Sequence, residues 1–153
     1  MTDLHIEWIN ESGGKGQMTI HCENFFPCSQ ATLKKLLKVI DMDFEHQTDI
    51  LNSMMQFLKQ YEVQKRELKE SIKKQFQGEY EKMCSLQHLI KDGRFPNGLP
   101  LKKGDRKVKQ EELKEQKKVV NSLQQEFKQA DRDMKKLHSN QETMKEVYGG
   151  SYE

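Results

Sequence analysis

This 153-residue chain has few cysteines and no long apolar run. Its three cysteines are too few, and odd in number, for the disulfide framework of a small secreted domain. No apolar run approaches the roughly eighteen residues of a membrane-spanning helix, and the N-terminus shows no signal-peptide pattern. We therefore expect a cytoplasmic protein that does not contact a membrane.

Apolar residues are scarce as well, at 34% of the chain against 33% charged residues, with a mean hydropathy of −0.95. Such a composition excludes a large globular core. The apolar residues nevertheless recur at regular intervals, which disordered chains usually do not show. An elongated, mainly α-helical protein reconciles the two observations.

Residues 113–148 carry an uninterrupted heptad repeat. Its two series of positions are Leu113, Val120, Phe127, Met134, Gln141 and Tyr148, and Gln116, Leu123, Ala130, Leu137 and Met144. This spacing places a narrow seam along one helix, and the seam is stable only when another helix covers it.

A second periodic stretch precedes the first and can supply that cover. Its apolar positions are Leu51, Met54, Met55, Leu58, Tyr61, Leu68, Ile72, Phe76, Tyr80, Met83, Leu86 and Ile90. The step from Ile72 to Met83 spans eleven residues, which predicts a locally straighter supercoil between flanking heptads.

The two periodic stretches are separated by residues 92–104, which contain three glycines and two prolines and cannot be helical throughout. We predict a long antiparallel coiled-coil hairpin over 47–148, with 92–104 as the tip loop and Asp105 as a cap of the second helix. This fold pairs Ile72 with Phe127 and Leu58 with Leu137. A parallel dimer of two chains is the alternative.

The N-terminal residues 1–46 predict a small head built from a β-hairpin and a helix. Residues 3–9 and 17–22 alternate apolar and polar side chains on either side of a glycine-rich turn. A helix over 30–45 follows, with Ser29 as its N-cap and Phe25 or Phe26 closing the junction. Residues 149–153 are expected to form a flexible tail.

No pattern of catalytic residues stands out. Lys15 follows two glycines, but Gly16 and strand residues come next, where a phosphate-binding loop would open into a helix. Cys22 and Cys28 lack the tight paired spacing of zinc ligands. We therefore expect neither enzymatic activity nor a metal or other cofactor.

A basic tip is the sharpest candidate interaction surface. Residues 91–107 contain six cations and two acidic residues, a net charge of +4. The candidate partner-binding residues are Arg94, Phe95, Lys102, Lys103, Arg106 and Lys107. Cations of this kind suit nucleic-acid phosphates, and an exposed phenylalanine can stack on a base; an acidic protein surface would satisfy the cations equally well.

The head offers a second candidate surface of opposite sign. Residues 1–28 have a net charge of −3, and the acidic residues predicted to meet a partner are Glu7, Glu11, Glu23, Asp41 and Asp43. Such a surface can imitate phosphates and occupy the nucleic-acid groove of a target protein. The alternative is ordinary solubilising charge.

The predicted shape resembles that of prefoldin subunits, which also combine strands with a long helical hairpin. Here the strands precede both helices instead of lying between them, so we infer no chaperone function. The chain also resembles, in its Lys/Glu-rich style, accessory proteins of phages and mobile elements.

We expect a non-enzymatic interaction protein that docks on another macromolecule through its head or tip, such as a steric inhibitor of a nucleic-acid enzyme. The alternative is a nucleic-acid-binding accessory protein that uses the basic tip. A protein partner is the leading expectation, and homodimerisation stays open.

Overall fold

The computed structural model describes residues 3–9, 13–43 and 46–148. Its elements, in chain order, are β1 (Asp3–Ile9), β2 (Lys15–His21), α1 (Cys22–Phe25), α2 (Gln30–Asp41), α3 (Gln47–Asp92) and α4 (Lys103–Tyr148). The predicted fold class is confirmed: the protein is mainly α-helical, and α3 and α4 pack against each other as a hairpin after an N-terminal β-hairpin.

Strands β1 and β2 pair antiparallel, with Leu4 opposite Ile20 and Trp8 opposite Gly16. Because side chains alternate between the two faces of a strand, one face carries Leu4, Ile6 and Ile20 into the core. At the open end the indole of Trp8 lies so close to Gly16 that a Cβ atom there would overlap the ring. Residues 10–12 of the predicted turn lie outside the described residues.

Helix α2 begins as predicted, since the Ser29 hydroxyl accepts a hydrogen bond from the Thr32 N–H at 3.3 Å. It ends at Asp41, four residues earlier than predicted. The N–H groups of Met42 and Asp43 donate to carbonyls three residues back, which tightens and ends the last turn. The short helix α1 was not predicted; it ends where the Phe26 N–H donates to the Cys22 carbonyl at 3.0 Å.

The chain divides into two compact units, each containing a stretch of both long helices. Unit 1 comprises Met1–Arg66 and Arg132–Glu153, and unit 2 comprises Glu67–Asp131. In unit 1 the head shares one apolar core with the adjoining parts of α3 and α4; its fully buried members include Ile6, Leu33, Ile40, Leu51, Met54, Leu58, Leu137 and Met144. Of the two phenylalanines predicted to close the junction, Phe26 is buried and Phe25 is half-buried.

The heptad seam predicted for α4 is confirmed at every position whose side chain is described. Val120, Ala130, Met134, Leu137 and Met144 are buried, and the other seam residues from Leu113 to Gln141 are half-buried. A matching partner helix therefore covers this face in both units.

The seam of α3 differs from the prediction. Leu68 and Tyr80 are 44% and 46% exposed, so neither belongs to it. Half-buried Glu62, Lys65, Lys69 and Glu79 occupy seam positions instead. The observed series is a regular heptad repeat: Leu51, Met55, Leu58, Glu62, Lys65, Lys69, Ile72, Phe76, Glu79, Met83, Leu86 and Ile90. The predicted insertion at Tyr80 is wrong, because Glu79 takes the seam position between Phe76 and Met83.

Polar contacts across this seam define the register. In unit 1 Lys65 Nζ lies 3.3 Å from Asp133 Oδ2, and in unit 2 Lys69 Nζ lies 3.0 Å from Asp131 Oδ1. The pairs run in opposite directions along the two helices, as an antiparallel hairpin requires.

Among the described residues, no helix is both long enough and apolar enough to cross a bilayer.

Candidate functional site

The tip of the helical hairpin is an ordered turn built by glycine, proline and asparagine. Helix α3 ends at Asp92, and the Gly93 that follows has a φ of +68°, a left-handed conformation that glycine adopts without strain. The chain then reverses over Phe95–Gly98: the Gly98 N–H donates to the Phe95 carbonyl at 2.9 Å, and the Phe95 N–H to the Leu99 carbonyl at 2.8 Å. With Gly98 at φ +87°, this is a hairpin turn closed by a bulge.

Further bonds extend this turn into a small hairpin. Arg94 and Pro100 form an antiparallel bridge, and the Leu101 N–H donates to the Gly93 carbonyl at 2.8 Å. The Asn97 side chain accepts from the Leu99 N–H at 3.2 Å. Residues 93–101 are therefore held by their own backbone, which fixes the points from which their side chains project.

Helix α4 starts beside this hairpin. The Asp105 carboxylate accepts from the Lys102 N–H at 3.4 Å, so it caps the helix from within its first turn. The Arg106 guanidinium donates to the Ile90 carbonyl at 3.0 Å and thereby satisfies a carbonyl at the end of α3. Arg106 is thus a structural link between the two helices at the tip.

The predicted tip residues separate into two groups. The side chains of Arg94, Lys102, Lys103 and Lys107 are exposed. Phe95 is half-buried and lines a groove together with Leu89 and Val108. We call Arg94, Lys102, Lys103 and Lys107 the basic tip. Arg106 is exposed as well, but its guanidinium is bonded to the Ile90 carbonyl.

The acidic head is less uniform than the sequence predicted. Glu7, Glu23 and Asp41 are exposed, whereas Glu11 lies outside the described residues. Histidines lie next to the acids, with His21 Nδ1 at 2.7 Å from Asp3 Oδ1. Helix α2 adds three exposed lysines to the same unit, Lys34, Lys35 and Lys38. The head therefore presents mixed charge.

Asp43 does not belong to an exposed acidic surface, because its side chain is only 4% exposed. Its carboxylate accepts the N–H of Glu7 at 3.0 Å and the N–H of His46 at 3.1 Å. Burial on its own would raise the pKa of Asp43, but these hydrogen bonds and the His46 ring hold the pKa below its ordinary value. Asp43 is a structural acceptor that ties β1 to the segment before α3.

The two cysteines of the head are poor nucleophiles at neutral pH. Burial, followed by the nearby charges of Glu23 and Asp3, raises the pKa of Cys22 to about 11. Burial also raises the pKa of Cys28 to about 11. Both thiols stay protonated near pH 7. Within the described parts of the chain, no three His, Cys, Asp or Glu side chains come together as a metal site.

Two features escaped the sequence analysis. Asn140, fully buried in unit 1, binds the backbone of Cys28. In unit 2 an open groove runs between α3 and α4, and its floor includes Leu86, Leu89 and Val108. For the groove the signal was available, because Leu89 and Val108 are apolar residues beside the heptad seam, at positions that a two-helix coiled coil would leave to solvent. A polar Asn140 at such a position gives no signal.

Comparisons with protein-family models, curated proteins and solved structures give no match. Only the residues of the chain itself bear on its function.

Proposed function

We propose that the protein is a non-enzymatic interaction protein that docks on an acidic surface of a partner protein through its basic tip. The observation that carries the proposal is the placement of Arg94, Lys102, Lys103 and Lys107, all exposed, on and beside a hydrogen-bonded turn. These four cations lie on an ordered backbone.

Order at the tip supports a binding role because association must otherwise immobilise the binding segment. A turn already fixed by its backbone hydrogen bonds loses less conformational entropy when a partner binds. A group of positive charges also accelerates the encounter with an acidic partner and disfavours the binding of basic proteins.

The state of Phe95 favours a protein partner over a single-stranded nucleic acid. Stacking on a base needs an aromatic face that is open to solvent. Phe95 is half-buried and lines the groove with Leu89 and Val108, so the cations act without a free aromatic ring beside them.

The mixed charge of the head makes the tip the better candidate for contact with a partner. Imitation of phosphates needs a surface of one sign, and α2 adds exposed lysines to the acidic residues of unit 1. Inhibition of a nucleic-acid enzyme, as in accessory proteins of phages or mobile elements, would then follow from steric blocking by the docked tip.

A charge-reversal variant tests the proposal. The tip variant combines Arg94→Glu, Lys102→Glu and Lys103→Glu. A control variant with the same charge change combines Lys73→Glu, Lys74→Glu and Lys128→Glu, all at exposed helix positions of the same unit. The wild type and both variants are used as bait in native-host lysate, with half of each sample treated with nuclease. The captured protein is then titrated against each purified form by calorimetry.

We expect the tip variant to bind the captured protein at least about tenfold more weakly than the wild type and the control. Equal affinity of the tip variant would refute the proposal.

Nucleic-acid binding through the same cations is the second candidate function, since Lys and Arg release counterions from phosphates. Fluorescence anisotropy with a single-stranded RNA and a duplex DNA at low salt tests it. Binding that weakens steeply with salt and is lost in the tip variant would favour this function. A flat titration at low salt would eliminate it.

A further inference from the structure

The groove of unit 2 is an open apolar surface at the side of the helical hairpin. Leu86 and Leu89 of α3, Val108 of α4, and Phe95 and Pro96 of the tip line it. Val108 is 56% exposed. Leu86 also belongs to the seam between α3 and α4, whereas Leu89 and Val108 lie beside that seam, where the pairing of the two helices does not cover them fully.

Heptad positions show that the same flank of the helices is covered in unit 1. Met54 and Tyr61 occupy one heptad position of α3, and that position recurs at Leu68 and Leu89. In unit 1 Met54 is fully buried and Tyr61 packs on the head core, whereas in unit 2 Leu68 is 44% exposed.

Helix α4 repeats the pattern. Asn140 is buried and bonded to Cys28 of the head in unit 1, and the equivalent Val119 is 43% exposed in unit 2. A flank that the head covers in unit 1 is therefore uncovered in unit 2.

The α4 charges along the groove are arranged in two blocks of opposite sign, and α3 adds Glu81 and Lys82 to its lining. Lys107 and Lys109 lie at its tip end, and Glu111, Glu112 and Glu115 follow one to two turns beyond Lys107 along α4. Within the chain Lys109 pairs with Glu112, and Lys118 with Glu115, each at 3.2 Å. Such surface pairs are weak, so a dimer can exchange them for pairs between the two copies. A partner helix of a single charge sign would be attracted by one block and repelled by the other. A second copy related by a two-fold axis places each block opposite the complementary block of its partner.

We propose that two copies of the chain associate groove to groove through unit 2, with their α4 helices antiparallel across a two-fold axis. The apolar floors of the two grooves cover each other, and Lys107 and Lys109 of each copy face the acidic block of the other. The groove extends over only a few helical turns, less than the area that a tight interface buries, so the dimer is weak and concentration-dependent. The dimer shares Lys107 with the basic tip, but it rests on the groove and does not require the proposed partner protein.

Analytical ultracentrifugation of the full chain at increasing concentration tests the dimer. We expect a reversible monomer–dimer equilibrium in the micromolar range. Val108→Glu should weaken dimerisation at least about tenfold, because it buries a charge in the apolar floor. Val63→Glu is the matched control, since Val63 is also half-exposed on α3 but lies in unit 1, and it should leave the equilibrium unchanged.

Paired charge reversals give the sharper result. One variant carries Lys107→Glu with Lys109→Glu, and the other carries Glu111→Lys, Glu112→Lys and Glu115→Lys. Each alone should remain monomeric, because like charges would face each other, and a 1:1 mixture should restore the dimer. Circular dichroism on each variant confirms that the helices are intact.

A wild-type chain that remains monomeric at all concentrations would overturn the proposal. So would a dimer that Val108→Glu does not weaken, or a mixture of the two reversal variants that fails to associate although both are helical.

Discussion

The side chain of Asn140 forms two hydrogen bonds with the backbone of Cys28. Its Oδ1 accepts the Cys28 N–H at 3.1 Å, and its Nδ2 donates to the Cys28 carbonyl at 2.9 Å. A third bond joins the same elements, because the Gln30 side chain donates to the Ser139 hydroxyl at 2.9 Å. Within unit 1, the start of α2 is thus fixed on α4 by polar contacts as well as by the apolar core.

Asn140→Ala should destabilise the protein by about 1–3 kcal/mol, because it leaves a part-buried N–H and a part-buried carbonyl of Cys28 without their partner. Chemical denaturation followed by circular dichroism measures the loss. Asn52→Ala is the control: Asn52 lies in the same unit but is exposed, and its substitution should cost less than about 0.5 kcal/mol. Equal losses in the two variants would show that the Asn140 bonds add no stability.

The contact between Trp8 and Gly16 predicts that any side chain at position 16 displaces the indole. Gly16→Val should cost about 1–2 kcal/mol, and the emission of the single tryptophan should shift to the red as the ring enters water. Gly78→Ala provides the contrast. A Cβ at Gly78, in α3, meets nothing within 4 Å, so this change should stabilise the helix by about 0.5–1 kcal/mol. Unchanged tryptophan emission in Gly16→Val would contradict the predicted displacement of the Trp8 ring.

Asp43 should make the fold sensitive to acid. Its pKa is lower in the folded chain than in the unfolded one, so its contribution to stability is full above the unfolded value of about 3.9 and is lost as the pH falls through the lower folded value. Asp43→Asn should therefore be less stable than the wild type by about 1–3 kcal/mol near neutral pH, and the gap should narrow on acidification. Denaturation curves at a series of pH values measure it; a gap independent of pH would be inconsistent with a charged Asp43.

Lys69 and Asp131 should be coupled energetically. Lys69 also lies 5.3 Å from the centroid of the Phe127 ring. Lys69→Asp should destabilise the hairpin by about 1 kcal/mol through repulsion from Asp131, and adding Asp131→Lys should recover about 0.5–1 kcal/mol. Thermal unfolding of the four members of this cycle gives the coupling. Lys73→Asp, at an exposed position one turn away, is the control, and no recovery in the double variant would exclude the predicted pairing.

The sequence predicted α4 well and α3 less well, for a physical reason. Apolar residues occupy most seam positions of α4, so the repeat is visible directly. In α3 the seam passes through Lys65 and Lys69, which look like surface residues until Asp133 and Asp131 of α4 are placed opposite them. The lysines are stable at the seam only because α4 places aspartates opposite them. The pattern of α3 taken by itself therefore favours Leu68 and Tyr80 as seam residues.

The candidate site could be predicted in composition but not in geometry. Net charge and the glycines and prolines of residues 92–104 indicated a basic turn. Whether Phe95 is exposed, and whether Arg106 binds a partner or the Ile90 carbonyl, depends on how the two helix ends meet. The same holds for Asp43: its structural role depends on the hydrogen bond from the N–H of Glu7, which is 36 residues away in the sequence.

The pairing of α3 with α4 inside one chain underlies both the basic tip and the groove, and zero-length crosslinking tests it most directly. A 1:1 mixture of unlabelled and ¹⁵N-labelled protein is treated with carbodiimide, which joins an amine to a carboxylate in direct contact. We predict that mass spectrometry finds Lys69 joined to Asp131 and Lys65 joined to Asp133, with both peptides of each pair carrying the same label. Crosslinks in which about half of the pairs combine a light with a heavy peptide would show that the helices pair between chains, and would contradict the intramolecular hairpin.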